Sequence, residues 1–378
     1  MNQIAVKELQ VGKYFSEPVY LDDEFMILSP EVPVSLGLVN RLTAWGIGFV
    51  YSAGTQSDEA PSGLFGDEPG VLAAIDETEE EQETRDKVFA FFRDLIAFVD
   101  RTYRGLTDEN HLNPPAVSET VRSVLEIVRE DADSALSLLG DRDLMDIEDY
   151  NVSHCAAAAV LSVVLGDSLK VPPHRLIELG TAALLHKVGL TKLPRNLYMR
   201  SGGLNDQERK TLAAYPVLGY RILKGFSVSE NVARGVLEQQ ERYDGSGYPR
   251  GLQGENISVY ARVIGVAASY SAIVAKRPYR EASDGHAGIM DLLRTNRSVY
   301  DEKVLKALVY CLSVFPLGTY VLLNNGIKAV VHRSNPKDPR CPTVKMLTDK
   351  DGNPLKEKPL IAMSQEKGIM IARSLSRL

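Results

Sequence analysis

Residues 175 to 188 read Arg-Leu-Ile-Glu-Leu-Gly-Thr-Ala-Ala-Leu-Leu-His-Lys-Val, and Gly189 follows them. The apolar residues of this run recur at helical spacing, and a glycine directly after such a run commonly ends a helix. Residues 153 to 166 are also rich in Ala, Leu and Val. The two runs therefore predict a pair of buried helices, which decides the fold of the central part of the chain.

Further helical stripes lie on both sides of this pair. Two of them precede it, and their apolar residues are Val88, Phe91, Phe92, Leu95, Phe98 and Val99 in the first and Val117, Val121, Val124, Leu125 and Val128 in the second. Three more helical segments follow, at 204–223, 228–242 and 260–274. Because the apolar period is helical throughout, the sequence predicts a helical bundle over 84–315.

The two ends of the chain have a different pattern. Residues 1–53 contain short apolar runs between turns, which indicate strands. Four apolar residues among them recur at helical spacing, namely Leu36, Val39, Leu42 and Trp45. Residues 54–83 indicate an acidic linker, and in 316–378 the pair Asn325-Gly326 separates two β-rich runs, which predicts a hairpin. The predicted fold class is multidomain and mainly α, with a small N-terminal α+β module and a small C-terminal β module.

Composition limits the class of protein. The chain has 378 residues, of which 44% are hydrophobic, and a net charge of −7. These values exclude a disordered chain, and the acidic balance disfavours nucleic acid as a partner. Cys155, Cys311 and Cys341 form no paired motif, which favours a reducing compartment. No stretch approaches the roughly 18 apolar residues of a membrane span, so we expect a cytoplasmic protein without membrane insertion.

Three local motifs lie within the predicted bundle. They are Tyr150-Asn151-Val152-Ser153-His154, Leu184-Leu185-His186-Lys187-Val188-Gly189 and Glu241-Arg242-Tyr243-Asp244-Gly245-Ser246-Gly247-Tyr248-Pro249. Together with Arg277-Pro278-Tyr279-Arg280, their order and spacing resemble the HD-GYP family of metal-dependent phosphodiesterases that hydrolyse cyclic di-GMP. The resemblance covers roughly Asp149 to Phe315, and it implies an HD-type helical bundle.

The resemblance also implies a site in which His and Asp side chains bind iron or manganese ions, and a metal-activated hydroxide attacks the phosphodiester. His154 and His186 stand at two of the family's histidine positions. The other ligand positions are changed: Lys187 replaces the aspartate of the His-Asp pair, Tyr215 a histidine, Gln239 and Gln240 two adjacent histidines, and Ala268 an aspartate. Ser271 replaces a second aspartate, which is not a ligand. In addition, Leu190 replaces a lysine that is expected to contact phosphate.

These changes weaken any metal site. Amides and a phenol bind transition metals poorly, and the chain has only six histidines. An ammonium such as Lys187 about 4 Å from a divalent cation would be repelled by roughly 8 kcal/mol at an effective dielectric constant near 20. We therefore expect a catalytically degenerate member of the family, a pseudo-phosphodiesterase with no catalytic residue, no metal and no cofactor.

Two functional hypotheses follow from the resemblance. In the first, the domain is a protein-interaction or cyclic di-GMP-sensing module of bacterial signalling. The family's Gly-Tyr-Pro loop is associated with contacts to GGDEF-domain proteins, and its residues here are Asp244, Gly245, Gly247, Tyr248 and Pro249. The candidate residues for binding cyclic di-GMP are Lys187, Tyr248, Arg277 and Arg280. In the second hypothesis, the domain is an active phosphodiesterase whose rewired metal site recruits Glu238, Glu241 or Asp244.

Simpler structural interpretations compete with these roles. His154 and His186 fit buried neutral imidazoles, Lys187 fits a solvated amine, and the two glutamines fit polar helix residues. The Gly-Tyr-Pro loop fits a turn that closes the bundle, and Arg277 and Arg280 fit surface ion pairs. A homodimer is also expected, with the stripe from Phe91 to Phe98 as a candidate face, although core packing explains that stripe equally well.

Overall fold

The structure is a computed structural model. It describes residues 2–17, 19–21, 26–28, 33–35, 38–39, 42–43, 47–58, 79–140, 144, 149–199, 203–275, 285–294, 298–335, 337–364 and 368–375. The chain forms two compact units, Met1–Leu72 and Ala73–Arg377.

The first unit contains short strands, as predicted. They are β1 (Asn2–Ala5), β2 (Tyr14–Phe15), β3 (Val19–Tyr20), β4 (Met26–Leu28), β5 (Phe49–Ser52) and β6 (Gln56–Ser57). Four of them form an antiparallel sheet in the order β1-β5-β3-β4, and β2 pairs with β6. Of the predicted helix, Val39 and Leu42 are helical, whereas Leu36 and Trp45 lie outside the described residues.

The second unit is mainly helical. Its described α-helices are α1 (Glu79–Arg104), α2 (Pro114–Glu130), α3 (Ala132–Ser137), α4 (Tyr150–Ser168), α5 (Pro173–Leu184), α6 (Arg195–Met199), α7 (Asp206–Leu212), α8 (Tyr215–Gly225), α9 (Glu230–Glu238), α10 (Val259–Val274), α11 (Gly285–Arg294) and α12 (Glu302–Leu312). Helix α4 is buried from Asn151 to Gly166 because α1, α5 and α10 pack around it. The helical bundle predicted from the sequence is thereby confirmed.

Two predicted helix boundaries were wrong. The helix that was expected to continue to Val188 ends at Leu184, and Val188–Lys192 forms a short 3₁₀ helix instead. The helix predicted over 204–223 is two helices, α7 and α8. Helix α7 begins with a capping box between Asn205 and Glu208.

The predicted linker and dimer face also need correction. Helix α1 begins at Glu79, so the acidic run enters the helix before the predicted boundary at 83. Phe92 and Leu95 are only 1% and 2% exposed and belong to the helical core. Phe91 and Phe98 are partly buried against the same core. The apolar stripe therefore packs inward and is not an exposed face for a second copy.

The C-terminal β module follows the helices. Its strands are β7 (Tyr320–Leu323), β8 (Lys328–Arg333), β9 (Thr343–Met346), β10 (Leu360–Ala362) and β11 (Ile371–Leu375). They form an antiparallel sheet in the order β10-β9-β8-β7-β11. Asn325-Gly326 turns the chain between β7 and β8, as predicted, and Gly326 has φ +85°.

The predicted fold class is therefore confirmed: a helical bundle, a small N-terminal module and a small C-terminal β sheet. No helix among the described residues combines the length and the apolar character needed to cross a bilayer.

Candidate functional site

Two histidines meet at the centre of the bundle. His154 lies on α4, and His186 lies in the turn that follows α5. Their ring centroids are 5.3 Å apart, and His154 and His186 are 4% and 0% exposed. His154 Nδ1 lies 2.8 Å from the hydroxyl of Ser271 on α10. A serine thus occupies the side of His154 where the resemblance implies an aspartate.

His186 is held as a neutral imidazole. Its Nδ1 donates to the carbonyl oxygen of Ala183 at 2.7 Å, and its buried Nε2 has no hydrogen-bond partner among the described residues. Burial, together with the Lys187 ammonium beside it, lowers the pKa of His186 to about 3. The ring therefore carries no charge at neutral pH.

Tyr215 links two glutamines beside this histidine. Its hydroxyl accepts hydrogen bonds from Gln239 Nε2 at 2.6 Å and from Gln240 Nε2 at 2.9 Å. Gln239 Nε2 also donates to the carbonyl oxygen of His186 at 3.3 Å, and Gln240 Nε2 donates to Gln239 Oε1 at 3.0 Å. Burial raises the pKa of Tyr215 far above its usual value, so the phenol stays protonated. We call His186, Tyr215, Gln239 and Gln240 the neutral network.

Lys187 lies at the edge of this network. Its Nζ donates to Asn151 Oδ1 at 3.3 Å and lies 5.9 Å from the centroid of the Tyr150 ring. The side chain of Lys187 is half-buried. The cation is therefore held against α4 next to the histidine pair, and it is not a freely solvated amine.

The Gly-Tyr-Pro loop, residues 244–249, begins immediately beyond the network. The backbone N–H of Tyr248 donates to the carbonyl oxygen of Gln240 at 3.2 Å, so the loop is bonded to a residue whose side chain touches Tyr215. Asp244 Oδ1 accepts from the backbone N–H and the hydroxyl of Ser246, at 3.0 and 2.7 Å. These bonds fix both sides of the loop.

Two buried carboxylates bind the backbone of the segment that follows the loop, residues 250–258. Glu241 accepts the backbone N–H groups of Arg250 and Leu252, at 2.7 and 2.9 Å. Glu238 is completely buried; it accepts the backbone N–H of Ser258 at 2.7 Å and forms ion pairs with Arg234 and Arg250. Both carboxylates accept backbone N–H groups, and Glu238 also pairs with two arginines, so neither is available as a replacement metal ligand.

The side chains at the ligand positions that the resemblance implies do not fit a dinuclear metal site. The two imidazoles are accompanied by a phenol, two amides, a hydroxyl and an ammonium, where hard or borderline cations need imidazole and carboxylate. Among the described residues, no three His, Cys, Asp or Glu side chains are grouped closely enough to hold a metal ion. Ala268 lies on α10, about one turn before Ser271, and offers no donor atom.

The structure groups most, but not all, of the candidate residues. Arg277 and Arg280 lie outside the described residues. The sequence predicted no role at the site for Tyr103, Asn151 or Arg250. The Tyr103 hydroxyl donates to the carbonyl oxygen of Leu184, just before the turn that carries His186. No motif could have indicated that contact, because it joins two distant segments of the chain.

Family models match both parts of the second unit. A model described as an HD domain matches residues 131–304, and a model described as a KOW domain associated with HD domain matches residues 320–377. The first match contains the histidine pair, the neutral network and the Gly-Tyr-Pro loop in one bundle. The bundle is therefore similar to HD domains over residues 131–304. The match to an HD domain lies in the helical part of the second unit, and the match to the KOW domain covers the β module that follows it.

Two curated proteins to which this chain is similar are named cyclic di-GMP phosphodiesterases. The cyclic di-GMP phosphodiesterase PdeB of Borreliella burgdorferi is 33% identical over 193 residues, which cover 50% of this chain and 51% of the relative. A cyclic di-GMP phosphodiesterase of Pseudomonas aeruginosa is 31% identical over 230 residues, covering 61% and 55%. The chain spans about half the length of these relatives. A solved structure, an HDG"Y"P protein from Bdellovibrio bacteriovorus, aligns with a TM-score of 0.46 at 15% identity, covering 81% of this chain and 97% of that one.

The hydroxyl of Tyr215 gives a direct test of the neutral network. Tyr215→Phe keeps the ring but leaves the amides of Gln239 and Gln240 without their common acceptor. Because unsatisfied buried donors are costly, we expect the free energy of unfolding to fall by about 1–3 kcal/mol, measured by urea denaturation. Tyr220→Phe is the control, since its hydroxyl donates to Glu230 at an exposed position, and it should change stability by less than about 0.5 kcal/mol. Equal losses in the two variants would contradict the network.

Proposed function

We propose that this HD-GYP domain does not hydrolyse cyclic di-GMP and serves as a non-catalytic module of second-messenger signalling. The observation that carries the proposal is the neutral network: Tyr215 accepts hydrogen bonds from both Gln239 and Gln240. The resemblance implies that all three residues stand at ligand positions of the family. A side chain committed in this way contributes to the packing of the bundle, and it has no lone pair suited to a transition metal.

The hydrogen bonds that hold the Gly-Tyr-Pro loop make it suitable for binding another protein. The loop is fixed by Gln240, Asp244 and Glu241, so it needs no bound metal to keep its shape. A surface that is already ordered loses little conformational entropy when a partner binds. The resemblance implies a GGDEF-domain protein as the first partner to test.

A receptor for cyclic di-GMP is the second candidate. Lys187, next to His186, and Tyr248, whose backbone N–H donates to Gln240, are both half-buried, so a cation and an aromatic ring remain partly accessible near the network. A phosphate could pair with the ammonium, and a guanine could stack on the ring.

The alternative of a rewired phosphodiesterase has less support. It requires Glu238, Glu241 or Asp244 to reach a metal ion, and all three carboxylates accept hydrogen bonds within the loop region. Moving any of them would leave backbone N–H groups without their acceptors.

A turnover assay tests the proposal. The full chain is incubated with cyclic di-GMP and either Mn²⁺ or Fe²⁺, and products are separated by chromatography, while binding without turnover is followed by calorimetry. We expect no linear dinucleotide and no GMP. Metal-dependent product formation that is lost in His154→Ala would overturn the proposal in favour of the rewired enzyme. Binding without turnover would support the receptor, and its loss in Lys187→Ala would place the ligand at the edge of the network.

A further inference from the structure

Two arginines lie side by side next to the Gly-Tyr-Pro loop. Arg234 lies on α9, and Arg250 directly follows Pro249 of the loop. Arg234 Nε donates to Glu238 Oε1 at 2.7 Å, and Arg250 Nη2 donates to the same oxygen. Because one carboxylate oxygen accepts both hydrogen bonds, the two guanidinium groups are neighbours. We call Arg234 and Arg250 the arginine pair.

Further hydrogen bonds fix the arginine pair in place. Glu238, which anchors both guanidinium groups, is completely buried. Arg234 Nη2 also donates to the carbonyl oxygen of Asn256 at 3.2 Å, and the backbone N–H of Arg250 donates to Glu241 at 2.7 Å. A site that is already ordered loses little conformational entropy when a ligand binds.

The arginine pair carries more charge than its partner neutralises. Two guanidinium groups contact the single carboxylate of Glu238, so two positive charges face one negative charge and the cluster has a net charge of +1. Glu230, one turn earlier on α9, pairs with Lys224, and the exposed Glu255 forms no ion pair with either arginine. Two like charges this close repel each other, so an anion placed between them is favoured.

Both guanidinium groups also reach the solvent. The side chains of Arg234 and Arg250 are 47% and 45% exposed. A guanidinium group has five N–H donors, and the bonds described above use two from Arg234 and one from Arg250. Most donors of the arginine pair are therefore available to an anion from the solvent.

The N-terminus of α10 lies at the same place. Ser258, the residue that caps this helix, donates its backbone N–H to Glu238 Oε2 at 2.7 Å. The first N–H groups of a helix have no acceptor within the helix, and the positive end of the helix dipole favours anions. Val259, the first residue of the helix, is 46% exposed. The helix thus adds to the positive potential of the arginine pair.

The arrangement distinguishes between kinds of anion. A carboxylate has two oxygens, which one guanidinium group can bind through two parallel hydrogen bonds. A phosphate group has three acceptor oxygens that do not lie in one plane with a single guanidinium group, so it can contact two such groups at once. The shared anchor on Glu238 brings two guanidinium groups together, which fits a phosphate group better than a carboxylate.

We propose that the arginine pair binds the phosphate group of a small phosphorylated ligand. The phosphate oxygens accept hydrogen bonds from Arg234 and Arg250, beside the first turn of α10. This site uses none of the candidate residues for cyclic di-GMP, and it does not depend on the proposed function. Because Arg250 directly follows the Gly-Tyr-Pro loop, a bound ligand holds the end of the loop more firmly against α9.

Calorimetric titration of the full chain with inorganic phosphate tests this site. We expect the wild type to bind phosphate with a Kd of about 1 mM, and more weakly at high salt. Arg234→Gln and Arg250→Gln should each raise the Kd by about fivefold or more. In each variant the other arginine still pairs with Glu238, and thermal unfolding checks that the fold is intact. The control Arg122→Gln removes a half-exposed arginine that pairs with Glu119, and it should stay within about twofold of the wild type.

Three results would overturn the proposal. They are no measurable binding of phosphate, wild-type affinity in either arginine variant, and an equal loss of affinity in Arg122→Gln. Glutamate is the competing probe; if it bound as tightly as phosphate, the arginine pair would belong to a carboxylate ligand instead. Hydrogen exchange locates the ion: phosphate should slow exchange across 250–258 in the wild type, and slowing confined to other segments would also contradict the site.

Discussion

Gly189→Ala is expected to prevent normal folding of the helical unit. A Cβ on Gly189 would lie 1.9 Å from the carbonyl oxygen of Tyr215 and 2.6 Å from the backbone nitrogen of Gly219. Both neighbours are backbone atoms of α8, so neither can move away as a flexible side chain could. Separating α8 from the turn would also pull Tyr215 away from its glutamines. We expect the free energy of unfolding to fall by at least about 3 kcal/mol, or the variant to be insoluble.

Urea unfolding followed by circular dichroism measures this effect. The matched control is Gly203→Ala, because a Cβ at Gly203 meets nothing within 4 Å. The control should unfold within about 0.5 kcal/mol of the wild type. If Gly189→Ala were as stable as this control, the close approach between the histidine turn and α8 would be wrong.

Gly247→Ala is expected to disrupt the Gly-Tyr-Pro loop. A Cβ on Gly247 would lie 2.2 Å from the backbone nitrogen of Arg242 and 2.5 Å from the carbonyl carbon of Glu241. Residue 247 would have to move away from the backbone of Glu241 and Arg242, which breaks the hydrogen bond from Tyr248 to Gln240 and weakens those that Glu241 accepts. We expect a loss of about 2–3 kcal/mol and faster amide exchange across 241–252.

Hydrogen exchange measured by mass spectrometry locates this effect. Ser246→Ala is the control within the same loop, because Ser246 is exposed and keeps its backbone N–H bonded to Asp244. It should leave exchange across 241–252 nearly unchanged. Protection of this segment in Gly247→Ala at the wild-type level would contradict the role of Gly247 as a site of close backbone approach. If a GGDEF-domain protein binds the wild type, the same variant should weaken that binding.

The helices could be predicted from the sequence because their apolar period is strong. The helix boundaries near the candidate site could not be predicted in this way. The run ending in Lys187 and Val188 looks helical by composition, yet the helix ends at Leu184, because the turn lets His186 bond to Ala183 and brings Gly189 against α8. Such a close approach between distant segments leaves no periodic signal in the sequence.

For the candidate site, the types of side chain could be predicted from the sequence, but their arrangement could not. The residue types at the ligand positions that the resemblance implies already indicated poor metal donors, and this prediction used the resemblance together with donor chemistry. What the sequence could not indicate was that Tyr215 bridges Gln239 and Gln240, since that arrangement depends on how α8 packs against the end of α9. Likewise, Glu238 and Glu241 suggested spare ligands in the sequence, whereas in the structure they hold the loop.

The central claim is that a neutral hydrogen-bonded network has taken the place of the family's metal ligands. Elemental analysis tests it most directly, on protein expressed in medium rich in iron and manganese and purified without chelators. The account predicts iron, manganese, zinc and nickel contents far below one ion per chain. One or two tightly held ions per chain, lost in His154→Ala and His186→Ala, would contradict it.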